Sequence, residues 1–290
     1  MSLIEALLQG ILQGLTEFLP VSSSGHLSLF QYFTGQSGET GILFSILLHL
    51  GTLIAVFLAF YKTIFQLIFE FFAMVGDIFG GSFSFKKLNP DRRMILMLML
   101  SLVPLLFFVL FSDFYKSISS DNDIIAEGVC FLFTGVLLLF SDKMARGNIT
   151  MANMRPRDAL VMGIAQGIAP LPGVSRSGST VAAGLMMGLE REYAVTFSFI
   201  MGMPAVLGAN LLEFADIWGE PFPISVPVML AGVSAAVVFG LIAIKMVQWL
   251  VHTNKFKYFG YYTLALGTIV IILGIIENNT GHAIQRMIAG

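Results

Sequence analysis

Residues 10–25 read GILQGLTEFLPVSSSG, and residues 163–178 read GIAQGIAPLPGVSRSG. The two stretches align without a gap, and eight of the sixteen positions are identical: Gly10/Gly163, Ile11/Ile164, Gln13/Gln166, Gly14/Gly167, Val21/Val174, Ser22/Ser175, Ser24/Ser177 and Gly25/Gly178. The same offset of 153 pairs Phe44 and Ser45 with Phe197 and Ser198. The chain therefore divides into two related halves, 1–153 and 154–290. Each repeated stretch is a short apolar segment that runs into a Gly/Pro/Ser-rich patch and then a second short apolar piece. A crossing helix needs about 20 apolar residues, so neither piece spans, and the pattern predicts a re-entrant helical hairpin in each half.

Outward from these hairpins the chain reads as a membrane protein. Of its 290 residues 56% are hydrophobic and only 12% charged, where a soluble domain carries about a quarter charged. A net charge of -2 leaves no broad basic face to neutralise phosphates, which excludes a nucleic-acid binder. The single Cys130 provides neither a disulfide framework nor a thiolate metal site. The N-terminus lacks the basic region and cleavage site of a signal peptide.

Six segments are long and apolar enough to cross: 41–61, 94–112, 124–141, 194–215, 224–250 and 258–276. The stretch 64–79 carries Glu70 and Asp77 and leads into GGSFSF, which reads as an interfacial helix or an irregular excursion. Three crossings per half is an odd number, so the second half lies upside down relative to the first. The expected fold is all-α and polytopic, an inverted-topology repeat of six transmembrane helices plus two re-entrant hairpins. Lys62, Lys86, Lys87, Arg92 and Arg93, then Lys143, Arg146, Arg155 and Arg157, then Lys255 and Lys257 mark the cytoplasmic face. The acidic connections 113–123 and 213–223 fall outside, as do both termini. One hairpin dips in from each side, and the two tips meet near the middle of the membrane.

The tips carry the chemistry. Gly10, Gln13, Gly14 and Glu17 share one helical face made only of small and polar groups. The glycines explain close helix packing, but a carboxylate at depth costs roughly 2.5–3.5 kcal/mol and requires a polar cavity. In the second tip, PGVSRSGST, Gly173 permits a tight turn, Ser175, Ser177 and Thr180 add hydroxyls, and Arg176 offers a planar fork suited to phosphate oxygens. Ser22, Ser23, Ser24 and His26 stand at the first tip, where an imidazole serves as acid, base or nucleophile. His49, inside a span, reads as a buried hydrogen-bonded histidine, and His282 as a surface group.

QGLTEFLPVSSSGH and LPGVSRSGST together resemble the two signature motifs of undecaprenyl-diphosphate phosphatases of the UppP/BacA type, (E/Q)xxxE followed by PVSSxGH, and PGxSRSxxT. The similarity extends over essentially the whole chain. It implies a phosphatase that recycles the polyprenyl lipid carrier of the cell envelope, sits in the bacterial plasma membrane, and is associated with bacitracin resistance. Carried over by position, the acidic motif falls on Gln13 and Glu17, the serine on Ser23, the histidine on His26 and the arginine motif on Ser175, Arg176 and Thr180. Gln13 departs from members with two glutamates, so a divalent cation, Mg²⁺ or Ca²⁺, would rest mainly on Glu17, with Gln13 as a further ligand. The implied partners are a polyprenyl diphosphate lipid, the bilayer and a second copy of the chain. The diphosphate would enter from the outer side onto Ser22, Ser24, Gly173, Ser175, Arg176, Ser177 and Thr180. His26 or Ser23 attacks, or His26 activates Ser23 or a water. A flippase or carrier for a phosphorylated polyprenyl lipid is the alternative, since inverted repeats also build transporters. A third is a non-catalytic lipid-binding protein.

Overall fold

The computed structural model describes residues 1–35, 39–85, 88–111, 123–144, 147–216, 224–252 and 255–289. The acidic connections lie largely outside these residues, as do Lys86, Lys87 and Arg146. The described residues form eleven α-helices: α1 Leu3–Phe18, α2 Ser23–Thr34, α3 Glu39–Phe79, α4 Pro90–Phe108, α5 Ile125–Met144, α6 Pro156–Ile168, α7 Arg176–Met186, α8 Arg191–Asp216, α9 Val226–His252, α10 Phe256–Thr280 and α11 Ala283–Ala289. Among them are six that are long and apolar enough to cross a membrane, α3, α4, α5, α8, α9 and α10. These are the six spans the sequence predicts, three in each half.

Four of the five short helices pair into two hairpins, α1 with α2 and α6 with α7, and the fifth is the terminal α11. The longest of them, α1, has 16 residues and reaches about 24 Å, short of the roughly 30 Å hydrocarbon core. Local chemistry sets their ends. Ser2 and Glu5 form a reciprocal capping box that starts α1, and Pro20 lies just past its end. Gly35, at φ 66°, closes α2 in the left-handed conformation that glycine adopts freely. In α6, Pro156 occupies the first turn and Asp158 accepts from the backbone N–H of Arg155 at 2.9 Å.

One alternative is removed. Residues 64–79 are helical rather than irregular, and they belong to the second of two helices that meet at a kink at the non-helical Phe60, within the 41 residues of α3. The two carboxylates that argued against continuation are neutralised by one arginine at the head of α4. Arg92 donates to Glu70 at 2.5 Å and lies 2.7 Å from Asp77. At roughly 61 Å this helix is about twice the thickness of the core, and the break at Phe60 lets its second part change direction.

Packing exchanges elements between the halves. The first helix of each half lies on the fourth helix of the other, α1 on α9 and α6 on α4, while α3 packs on α8 and α5 on α10. Glycines set these approaches: a methyl group on Gly10 would sit 2.3 Å from the carbonyl of Gly232, and one on Gly163 would sit 2.1 Å from that of Ser101. The main apolar core gathers Phe18, Phe60, Leu138, Met162, Phe197 and Phe199 from both halves around the hairpin tips. Phe18 and Phe199 meet edge to face at 5.3 Å. Outward faces keep large apolar groups such as Leu106, Leu110, Leu211 and Ile272 exposed, as a lipid-facing surface requires. His282 is not a free surface group. Its Nδ1 is 2.8 Å from the hydroxyl of Tyr32, which also donates to Glu277 at 3.2 Å and ties the end of α10 to α2.

Candidate active site

The two tips touch. Ser177 Oγ donates to the carbonyl of Leu19 at 3.1 Å, and a methyl group on Gly25 would fall 2.8 Å from Gly173 Cα. Gly173 has φ 95°, and the turn before α7 depends on that freedom. Ser22, by contrast, is a serine held at φ 72° and ψ 99°, a strained backbone position of the kind that collects at functional sites. Its side chain accepts from Gly25 N–H at 3.2 Å, as Ser175 accepts from Gly178 N–H at 3.0 Å. The equivalent caps start α2 and α7 at the same junction. Thr134 locks the second tip, donating to the Gly173 carbonyl at 3.0 Å and accepting from Ser175 N–H at 3.0 Å.

Glu17, on the last turn of α1 and 6% exposed, is the centre of the site. One carboxylate oxygen accepts from the Arg176 guanidinium. The other accepts from Ser23 Oγ at 2.6 Å and from Gln13 Nε2 at 2.9 Å. His49 Nε2 approaches the same oxygen to 3.8 Å. A carboxylate and a guanidinium at this depth are tolerable because each neutralises the other, and hydroxyl and amide donors satisfy the remaining lone pairs. Beside the pair is a cleft of about 10 Å³, room for roughly one water. Thr52 and Gly202 complete its polar side, and Phe18, Leu53, Val56, Phe199 and Met203 wall it with apolar groups.

The structure thus brings Gln13, Glu17, Ser23 and Arg176 together, from three helices in two halves. His26, one turn along α2 from Ser23, is held by other partners, with Nδ1 2.7 Å from the Ser22 carbonyl and Nε2 2.8 Å from the hydroxyl of Tyr262. Thr180 bonds to the Arg176 carbonyl at 2.9 Å and to Ser198. Ser24 is 3.3 Å from Ser22, and Ser177 is 3.3 Å from Ser175. His49 is hydrogen-bonded as expected, with Nδ1 2.9 Å from the Ser45 carbonyl, but it is half-buried and its Nε2 faces Glu17.

Sequence reasoning did not find Gly202, Thr52 or Tyr262, nor His49 as a member of the site. A methyl group on Gly202 would stand 1.9 Å from Arg176 Nη1, so this position on α8 must be glycine for the fork to lie where it does. A signal existed: His49 and Gly202 are themselves separated by 153 residues, four past the repeated pair Ser45/Ser198. One faces the carboxylate and the other the guanidinium.

Fold and site together define a polytopic membrane protein with a buried ion-pair centre where two helical hairpins meet. Residues 6–269 match the family described as bacitracin resistance protein BacA, and the chain belongs to that family. It is similar to an undecaprenyl-diphosphatase of Methanosphaera stadtmanae, 37% identical over 280 residues that cover 95% of this chain and 99% of the relative. It is similar as well to an undecaprenyl-diphosphatase of Alkaliphilus metalliredigens, 36% identical with 95% and 100% coverage. Undecaprenyl-diphosphatase 4 of Bacillus thuringiensis is 38% identical with 94% and 98% coverage.

Proposed function

We propose that this chain is an integral membrane phosphatase that hydrolyses undecaprenyl diphosphate to undecaprenyl phosphate and inorganic phosphate. The observation that carries the reading is the junction of Ser23, Glu17 and Arg176. A hydroxyl 2.6 Å from a carboxylate, with a guanidinium on that carboxylate's other oxygen, unites a nucleophile, a base and a charge stabiliser. The cleft is too small for a diphosphate, so the terminal phosphoryl group enters by taking the place of Glu17 on the Arg176 fork. Ser23 Oγ then attacks phosphorus as its proton passes to Glu17, and the bridging P–O bond breaks to release undecaprenyl phosphate. Water cleaves the phosphoserine, with His26, one turn along α2, taking the proton.

A divalent cation, Mg²⁺ or Ca²⁺, is part of this proposal. Gln13 Oε1 is buried without a hydrogen-bond partner beside Glu17, an orphaned hard donor that suits such an ion. Glu17 and Gln13 would hold it together with substrate oxygens, and it would offset the charge of the diphosphate. Among the described residues no cluster of three His, Cys, Asp or Glu offers a closed metal cage.

We take the two halves to be inverted repeats and the two hairpins to be re-entrant. The exchange of first and fourth helices between the halves supports this, as does the shortness of α1, α2, α6 and α7. The site opens to the outer side on the reading that the Lys/Arg-rich ends are cytoplasmic. Phosphate release from undecaprenyl diphosphate by the purified, detergent-solubilised protein tests the activity. Ser23→Ala, His26→Ala and Arg176→Ala should each lower turnover at least about a hundredfold without unfolding the protein. Substrate binding with no phosphate release from the wild type would favour a flippase instead.

A further inference from the structure

From the environment of His26 we infer that Tyr262 is a positioning residue for this reaction, fixing the orientation of the His26 imidazole and the direction of its Nε2 lone pair from the opposite half of the protein. This rests on the reading of His26 as an active-site group. His26 Nδ1 lies 2.7 Å from the carbonyl of Ser22. A carbonyl only accepts, so the neutral ring carries its proton on Nδ1 and its lone pair on Nε2. That lone pair lies 2.8 Å from the hydroxyl of Tyr262, which donates to it. The two rings are nearly parallel, 11° apart with centroids at 5.8 Å, and the Phe131 ring stands perpendicular to the imidazole at 5.2 Å and 85°. The ring is therefore held at both nitrogens and packed against Phe131.

The source of the hydroxyl matters. Ser22 and His26 are neighbours on one helix, but Tyr262 comes from α10, a span of the second half, and is 46% exposed. Its donor keeps the Nε2 lone pair aimed at one spot until a water takes the hydroxyl's place. That water loses a proton to Nε2 as its oxygen bonds to phosphorus and the seryl oxygen leaves, while Nδ1–H stays on Ser22. Without the Tyr262 hydroxyl, the basic nitrogen loses both its anchor and the bond that opposes rotation of the ring.

The test uses the purified full-length protein with undecaprenyl diphosphate, comparing wild type, Tyr262→Phe, His26→Ala and the double variant. Phe keeps the ring and its packing and removes only the hydroxyl. Losing one hydrogen bond that holds a catalytic group should lower kcat roughly tenfold and leave KM within about twofold. In the His26→Ala background the same substitution should cost nothing further, measured by single turnover. The ¹⁵N resonance of His26 Nε2, identified by its loss in His26→Ala, should move in Tyr262→Phe. Wild-type kcat in Tyr262→Phe, an equal tenfold loss on top of His26→Ala, or an unmoved resonance would each overturn the inference. Normal turnover by His26→Ala removes the premise about His26 and the inference with it, while phosphate release by the wild type leaves the phosphatase reading standing.

Discussion

Gly202→Ala separates the site from the fold more cleanly than any change to a charged residue. A methyl group there would lie 1.9 Å from Arg176 Nη1 and 2.8 Å from Cζ. Ordinary contact needs about 3.5 Å, so the guanidinium must withdraw by roughly 1.6 Å, which misplaces the fork while leaving the two charges within ion-pair reach. The atoms that must move are the far end of a flexible side chain, so the backbone packing of α8 survives. A misplacement of about 1 Å at a reacting centre costs on the order of a hundredfold, or about 2.7 kcal/mol of transition-state stabilisation. We therefore expect phosphate release from undecaprenyl diphosphate to fall about a hundredfold in Gly202→Ala, with the unfolding midpoint within about 2 °C of wild type. Gly14→Ala is the control. Its methyl would lie 2.7 Å from the carbonyl of Ala236 and 2.9 Å from the Gly240 N–H nitrogen, both backbone, so α1 and α9 must separate and the unfolding midpoint should drop by several degrees. Near-normal turnover in Gly202→Ala would refute the role of the Arg176 fork; a loss of activity matched by an equal loss of stability would refute the separation.

Glu17→Gln should abolish turnover and destabilise the protein by roughly 3 kcal/mol, because Arg176 is then left buried without its counter-charge. Glu17→Gln with Arg176→Met should recover stability and no activity, and recovered activity in that pair would remove both residues from the chemistry. Stripping divalent ions with excess EDTA should stop phosphate release, and Mg²⁺ or Ca²⁺ should restore it; full turnover by the stripped protein would end the metal proposal. In a Cys130→Ala background, a cysteine at Asn279, exposed at the end of α10, should react with an impermeant thiol reagent on intact cells. One at Asn89, the cap of α4, should not, and the opposite pattern would reverse the assigned orientation.

The spans were legible because hydropathy is a local property: a run such as residues 94–112 must be buried in lipid or protein whatever its neighbours do. The carboxylate and the arginine were legible for the complementary reason, since a charge inside an apolar stretch needs a partner. That same rule leaves residues 64–79 open between a helix and an irregular excursion. Glu70 and Asp77 looked too costly for a continuing helix, and the arginine that neutralises both stands on the next helix, where local reading has no access to it.

Sequence alone determined the six spans, the repeat at an offset of 153, and the four residues that meet at the tips, Gln13, Glu17, Ser23 and Arg176. The spans, the repeat, Gln13, Glu17 and Arg176 follow from composition, periodicity and the cost of burying charge, all written within a few turns of chain, whereas Ser23 is singled out among three serines only by the resemblance to the family's motif. Tertiary structure alone decided what surrounds them. His49 faces Glu17, and Gly202 makes room for the fork, because α3 and α8 pack against each other. Tyr262 reaches His26 across 236 residues because α10 folds against α5, the helix whose Phe131 closes the other side of the imidazole. Contacts of this kind depend on which helices lie side by side and how closely glycine lets them approach, and no local property of the chain encodes that.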